Sequence, residues 1–363
     1  METNIQLGKD PGLEIDISPA FYVKFFATKT DKSVIACADE LLKDMDKLNL
    51  SLSGGLDSQF SLALAKHLGK DVTAYTYRSI WNGTFCNVED VYMAQHMADI
   101  NDVKLNIIDI DLNKFFSERE HLSYGKEFAN HSPQIAVHLY WLDLLHSEYK
   151  IKNILMGGDP PLFKYASEET GTGKIRMNDA FYHDILAPYY LFCKSKGILC
   201  LRDIYYHNPE IVYAGFKNNI DVVNKQKIYI ENDSRIVKTP DTQEYISTSP
   251  YLTDNYIFKY QWYNNIIDGL IPQKSEITGF ETLKKILASE SGIYNRFDQL
   301  YRLPMQDIAV DSVKMMLKTK NRNIRRRGRN VIMPETLNKL FLEYQKQVIN
   351  TEATPVNRYS FDF

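Results

Sequence analysis

The sequence predicts an α/β protein built on a doubly wound parallel sheet, and three observations carry that prediction. From residue 48 to residue 158, segments of apolar alternation take turns with segments of helical spacing, which gives parallel strands covered on both faces by helices. The first strand of this series, residues 48–52, runs through Ser53-Gly54-Gly55-Leu56-Asp57-Ser58 straight into an amphipathic helix. A later strand ends in a second glycine pair, Gly157-Gly158, at the edge where open parallel sheets bind ligands.

The elements follow in order. Residues 13–28 read as short strands around a Ser18-Pro19 turn, and residues 32–47 have helical spacing; together they make a small N-terminal strand and helix element, 1–47. The α/β domain, 48–220, begins with strand 48–52, helix 58–68, strand 71–78, helix 88–100 and strand 103–111. It continues with helix 132–149 and strand 153–158. After about residue 160 the rhythm breaks. The stretch "EETGTGKIRMND" (168–179) is Gly-rich and charged, and its part 171–179, with Lys174 and Arg176, is a lid candidate. Residues 209–220 and 254–268 read as helices with a polar, strand-like excursion between them. The region 221–363 is expected to be mainly helical, interrupted by a basic segment at 318–330. No internal repeat is present.

Composition narrows the class. A chain of 363 residues suggests about two domains, and 44% hydrophobic with 25% charged residues is ordinary for a soluble globular protein. A net charge of −3 argues against a dedicated nucleic-acid binder. Cys37, Cys86, Cys193 and Cys200 are too scattered for a disulfide framework, and no CxxC pair offers a zinc ribbon or persulfide relay. The polar start "METNIQLGKDPG" has no apolar signal core and no run is long enough to span a bilayer, so a soluble cytoplasmic protein is expected.

The loop after the first strand has two readings. In one, Gly54-Gly55 makes a turn and Asp57 or Ser58 caps the next helix. In the other, the glycines let the backbone approach a phosphate chain, successive N–H groups form an anion nest, and the helix N-terminus adds its positive end. Ser53 and Ser58 then add hydroxyl donors, and Asp57 holds the magnesium that accompanies the phosphates. The second reading uses every residue of the string. Neither a Walker A loop nor GxGxxG occurs at this turn.

With its flanks, this string resembles the PP-loop of the N-type ATP pyrophosphatases, and "LSGGLDS" is most similar to asparagine synthetase and β-lactam synthetase. The resemblance implies ATP and Mg2+, cleavage of ATP between the α and β phosphates, and transfer of AMP to a carbonyl oxygen. It also implies that Ser53, Gly54, Gly55, Asp57 and Ser58 bind the nucleotide. "EDVYMAQHMADINDVKLNIID" is similar to the family's second helix and third strand, and the backbone of Tyr75 or Thr76 would read adenine. In "ILMGGDPPLFKY", Asp159 matches the family's metal-binding aspartate, with Gly157 and Gly158 on the approach. Pro160 stands where the family has a glutamate used in ammonia chemistry, which puts asparagine formation in doubt. "IPQKSEITGFETLKK" resembles the family's Lys-containing Gly-Phe segment, which would make Lys274 a catalytic cation beside Asp159. The other account of that segment is a capping box between Thr278 and Glu281 with a solvated Lys274.

Residue 2 is Glu, and the stretch before the loop is too short for the family's glutaminase domain. An amine donor is therefore expected from solution, from the substrate or from a separate ammonia-supplying partner. His131, His138 and His146 lack metal-pair spacing and read as core or surface histidines. Arg325, Arg326, Arg327 and Arg329 could grip nucleic acid, although a solvated connector is the commoner role of such a run. The leading expectation is an AMP-forming, carbon–nitrogen bond-making ligase that activates a carboxylate or amide carbonyl. The alternatives are a PP-loop enzyme modifying a nucleobase or tRNA, and a nucleotide-binding partner subunit without turnover.

Overall fold

The structure, a computed structural model, describes residues 4–6, 13–16, 22–25, 27–118, 123–124, 128, 133–158, 160–161, 163–165, 175–177, 183–225, 229–230, 236–238, 244–246, 253–271 and 330–332. The chain opens with β1 (Asn4–Gln6), β2 (Leu13–Asp16), β3 (Tyr22–Phe25) and α1 (Val34–Leu42). Next come β4 (Lys47–Ser51), α2 (Leu56–His67), β5 (Asp71–Trp81), β6 (Thr84–Phe85), α3 (Val88–Ile100), β7 (Lys104–Asp111) and α4 (Leu112–Ser117). They are followed by α5 (Pro133–Tyr149), β8 (Asn153–Met156), β9 (Phe163–Tyr165), β10 (Ile175–Met177), α6 (His183–Ser195) and β11 (Leu199–Arg202). A 3-10 turn at Ile204–Tyr206 leads into α7 (Pro209–Lys225), β12 (Tyr229–Ile230), β13 (Ile236–Lys238), β14 (Glu244–Ile246), α8 (Thr253–Asn264) and β15 (Asn330–Ile332).

The main sheet runs β11-β8-β4-β5-β7 with these strands parallel, and β6 adds a short antiparallel rung at the far end of β5. This is the doubly wound α/β arrangement expected from the sequence. The chain leaves β4 in one direction through β5 to β7, then returns to the other side of β4 for β8 and β11. The order therefore reverses between β4 and β8, and the crevice beyond their C-terminal ends is where such sheets take ligands. Leu48 and Leu50 of β4 are 1% and 0% exposed while Asn49 and Ser51 are half-buried, so the strand turns its leucines to the better covered face.

Two helices from the second half of the chain close the structure around this crevice. The Trp262 indole of α8 is 0% exposed and donates to the Gly215 carbonyl of α7 at 3.0 Å, and Asn218 of α7 returns a bond to the Trp262 carbonyl at 2.9 Å. Asn219, also fully buried, donates to the carbonyls of Pro161, Gly215 and Phe216, which ties α7 to the chain just after β8. A Cβ on Gly215 would lie 2.3 Å from the Pro161 ring, so this contact is as tight as its backbone allows.

Several sequence expectations change. The strand and helix rhythm does not stop near residue 160, because α6 and β11 extend the main sheet. The signal was masked by Pro188 inside α6 and by the brevity of β11. Part of the lid candidate 171–179 is strand: β10 pairs antiparallel with β9, whereas Lys174 lies outside the described residues. The excursion before α8 is the antiparallel meander β12-β13-β14. β1, β2 and β3 form the expected N-terminal strand element, and β15 joins it parallel to β3 directly after the arginine run. Most of the C-terminal region expected to be helical lies outside the described residues. Among the described residues no helix is long and apolar enough to cross a membrane.

Asn219→Ala is expected to cost about 1–3 kcal/mol, since it strips a buried donor from three carbonyls. Urea unfolding measures this, and an unchanged midpoint would remove Asn219 as the tie between α7 and the crevice.

Candidate functional site

The backbone after β4 continues its ladder for one residue, with Leu52 N–H donating to the Tyr75 carbonyl at 2.9 Å, and then turns. Gly54 takes φ +76, and a Cβ there would sit 2.6 Å from Met93 Cβ and 2.9 Å from the Ala94 nitrogen. Both conformation and space demand glycine, because α3 lies directly on the loop. Gly55 is extended and forms the N-cap of α2, and no side chain caps this helix. The capping reading of Asp57 and Ser58 is thus corrected. Ser58 is 3% exposed; its hydroxyl donates to the Gly55 carbonyl at 2.9 Å and accepts from Ser53 N–H at 3.2 Å. The fully enclosed Gln59 donates to the Gly54 carbonyl at 2.8 Å. The carbonyls of the loop are held from behind, and its uncapped amide end is left for an anion.

Asp57 reaches a partner that the local sequence does not reveal. Lys259 of α8 places its ammonium 2.7 Å from each carboxylate oxygen, and the Tyr263 hydroxyl, one helical turn on, donates to Oδ1. The Tyr263 oxygen also lies 3.3 Å from the Gly158 carbonyl, and its ring stacks on Phe60 of α2 at 4.6 Å between centroids. The Lys259 and Asp57 side chains are 16% and 30% exposed, so water screens this pair less than a surface one.

The end of β8 presses onto the same loop. A Cβ on Gly157 would be 2.8 Å from the Ser58 nitrogen and from the Asp57 carbonyl carbon. One on Gly158 would fall 1.3 Å from Asp203 Oδ1. Asp203 directly follows β11, is 3% exposed and adopts φ +54, a left-handed conformation that is uncommon for a non-glycine residue.

Beside it, Arg202 directs Nε to Asp203 Oδ2 at 3.3 Å and lays its guanidinium 4.1 Å from the Tyr189 ring centroid. The Arg202 carbonyl accepts from the Tyr190 hydroxyl at 2.5 Å and from His207 Nε2 at 2.9 Å. The Tyr189 hydroxyl is 2.5 Å from His138 Nδ1, and His138 Nε2 is 2.7 Å from the Tyr77 hydroxyl. Burial, reinforced by the Arg202 charge, holds His138 down to about 3, and burial holds His207 down to about 4. Both imidazoles are neutral near pH 7.

Of the residues expected from the sequence, Ser53, Gly54, Gly55, Asp57, Ser58, Gly157 and Gly158 come together here. Tyr75 and Thr76 stand next to the loop on β5, but the Tyr75 carbonyl is committed to Leu52, and Thr76 pairs with Ile107 of β7. Asp159, Lys274, His131 and the arginine run lie outside the described residues. The chain does approach the loop three residues before Lys274, where Ile271 N–H donates to Gln59 Oε1 at 2.9 Å. Sequence reasoning missed Lys259, Tyr263, Gln59, Arg202 and Asp203. The available signal for two of them was the i, i+4 placement of a lysine and a tyrosine on one helix.

All four cysteines are free thiols. Cys193 of α6 and Cys200 of β11 are both buried, and the neighbouring Cys200 together with burial pushes the Cys193 thiol well up. Burial raises Cys37 to about 11, so neither Cys37 nor Cys193 is a ready thiolate.

No protein-family model matches the chain, and no curated protein matches it. Among solved structures, the chain aligns with the NMN synthetase from Francisella tularensis at 17% identity and a TM-score of 0.24, covering 32% of this chain and 48% of that one. It therefore spans about half the length of that protein. The U34-tRNA thiolase from Methanococcus maripaludis, described with its 4Fe–4S cluster, aligns at 10% identity and a TM-score of 0.27, covering 75% of this chain and 78% of that one. Overlaps of this size assign no family, and the fold stands on the strand order of the sheet itself.

The histidines give a pH signature. Folded His138 and His207 take up protons only near pH 3 and 4, against 6.5 for an ordinary histidine, so below pH 6.5 the unfolded chain binds more protons. Stability should fall as pH drops from about 6.5, by roughly 1.4 kcal/mol per histidine per pH unit. Thermal midpoints between pH 7 and 5 test this, and His138→Gln should flatten the slope. Equal slopes in variant and wild type would show that His138 is not held neutral.

Proposed function

We propose that this chain is a PP-loop enzyme that binds ATP at residues 53–58 and transfers AMP to a carboxylate or amide carbonyl oxygen, preparing it for attack by an amine. The observation that carries this reading is the loop itself. An uncapped helix N-terminus, with its carbonyls tied inward, lies at the point where the sheet order reverses. That amide end would take the polyphosphate, because Gly54 and Gly55 put no side chain over it and a Cβ at position 157 would lie 2.8 Å from the Ser58 nitrogen.

Magnesium fits the donor set in part. Asp57 is the carboxylate that would hold it, and its ion pair with the Lys259 ammonium supports a demand for positive charge at this position. Asp159 would be its second ligand. Bound there, the metal would withdraw charge from the phosphates. The rest falls to the chain. The α2 terminus and the glycines would bind and orient the pyrophosphate, and Lys259 would cancel the Asp57 charge that otherwise repels it. Tyr263 would fix Asp57 in position. Lys274 stays in this reading as a second cation, since at most about 11 Å of extended chain separates it from the tethered Ile271. The high Cys193 thiol disfavours a thiol-transfer version of the chemistry.

With a suitable carboxylate acceptor and an amine, α-labelled ATP should yield pyrophosphate on adenylation and labelled AMP when the amine displaces it. ADP and orthophosphate as the sole products would overturn the reading. Lys259→Met should weaken ATP binding about tenfold or more by calorimetry in EDTA, and less in saturating magnesium, which can stand in for the lost charge. ATP affinity independent of Lys259 in both conditions would remove it from the site.

A further inference from the structure

Arg202 is built like a ligand anchor and is idle in the reading above. It ends β11 at the C-terminal edge of the sheet, beside β8, and its side chain is only 17% exposed. Its backbone is pinned through its carbonyl by Tyr190 and His207. Its guanidinium rests on Tyr189, whose hydroxyl is fixed by His138, itself fixed by Tyr77. Asp203 meets it at Nε. Among the described residues Asp203 is its one carboxylate partner, and the two terminal nitrogens carry no ion pair there. A structural arginine withdrawn from water ordinarily spends that planar fork on a bidentate carboxylate. Here the carboxylate sits behind the fork and aims it.

The surroundings are costly to maintain. Asp203 holds its place only in a left-handed conformation and only because Gly158 lacks a Cβ. Strain of this kind collects where a site must be kept in shape. The path to the nucleotide loop is short: Asp203 touches Gly158, the Gly158 carbonyl faces the Tyr263 hydroxyl, and Tyr263 bonds Asp57.

We propose that the terminal nitrogens of Arg202 bind an oxyanion, a carboxylate or phosphate group, carried by the acceptor substrate at the end remote from the carbonyl that reacts. The proposal rests on the nucleotide reading only for what fills the loop beside it. It makes the acceptor class an acid with a second anionic group rather than a simple monocarboxylic acid. The histidines of the network act as positioning residues: being neutral, they hold tyrosines without adding charge of their own.

Calorimetry on the full chain loaded with α,β-methylene-ATP tests this with succinate and inorganic phosphate as separate probes. Wild type should bind one of them saturably at a single site and, where that probe is succinate, butyrate at least tenfold more weakly. The probe that saturates identifies the oxyanion as carboxylate or phosphate. Arg202→Gln should weaken that probe at least tenfold, and Arg202→Lys, which keeps the charge and loses the fork, by an intermediate factor. Affinity for the nucleotide analogue should change less than about twofold in both. If Arg202→Gln misfolds, Arg202→Lys alone decides through the same comparison. Equal probe binding in wild type and variants, or no saturable binding of either probe, overturns the proposal. So does a tenfold loss of nucleotide affinity in the variants, which would give Arg202 to the phosphates of ATP. Retained probe binding in a wild type that binds no nucleotide would instead overturn the ATP reading and leave the Arg202 site standing.

Discussion

The close approach of three backbone segments over the end of β4 is the constraint on which the rest of this site depends. α3 lies on Gly54, the end of β8 lies on the Asp57-Ser58 peptide through Gly157, and Asp203 occupies the position of a Gly158 side chain. In each case a methyl group would strike a backbone atom or a buried carboxylate, not the far end of a flexible chain. The notch exists because β4 ends at Ser51, paired with Tyr75, while β5 runs on to Trp81. Short central strand, long neighbour and side-chain-free turns together bring the amide end of α2 to the C-terminal edge of the sheet, where open parallel sheets take ligands.

Charge at the notch follows a single pattern. A carboxylate in the first turn of a helix is favourable by itself, yet it repels any phosphate drawn to the same terminus. Lys259 resolves that conflict at Asp57, and Tyr263 adds a neutral donor so that the carboxylate does not swing away. Arg202 and Asp203 repeat the arrangement on the far side of Gly158. The imidazoles of His138 and His207 stay out of this accounting because burial keeps them uncharged. The described cations paired with these two carboxylates are a lysine, at Asp57, and an arginine, at Asp203.

What the sequence makes legible here is what is local. Strand, glycine turn and helix are contiguous, so residues 48–68 declare both the fold class and the candidate site, and Gly157-Gly158 declares the segment packed against it. Lys259 and Tyr263 lie 202 and 206 residues from Asp57, and nothing near Asp57 encodes them. Asp57 consequently reads as a cap or a metal ligand, when its partner in the fold is a helix from the other end of the described chain. Arg202 and Asp203 were hidden for a different reason: a proline inside α6 and a four-residue β11 obscure the last strand and helix pair.

These long-range partners also determine which parts of the chain must respond together. α8 grips the loop through Asp57 and grips α7 through Trp262 and Asn218, while Gln59 grips both Gly54 and the backbone at Ile271. The segment after α8 is thus tethered to the 53–58 loop and the start of α2 at each of its ends, by one carboxylate and one amide. Any cation that comes to Asp57 competes with Lys259 for the same two oxygens, and what it gains there must be set against the hold of α8 on the loop. The coupling is reciprocal: a change that loosens α8 alters the affinity of Asp57 for a cation by the same factor that the cation alters the docking of α8. A site that looks like a short motif in the sequence is, in the fold, the meeting point of the first strand of the sheet and a helix two hundred residues later.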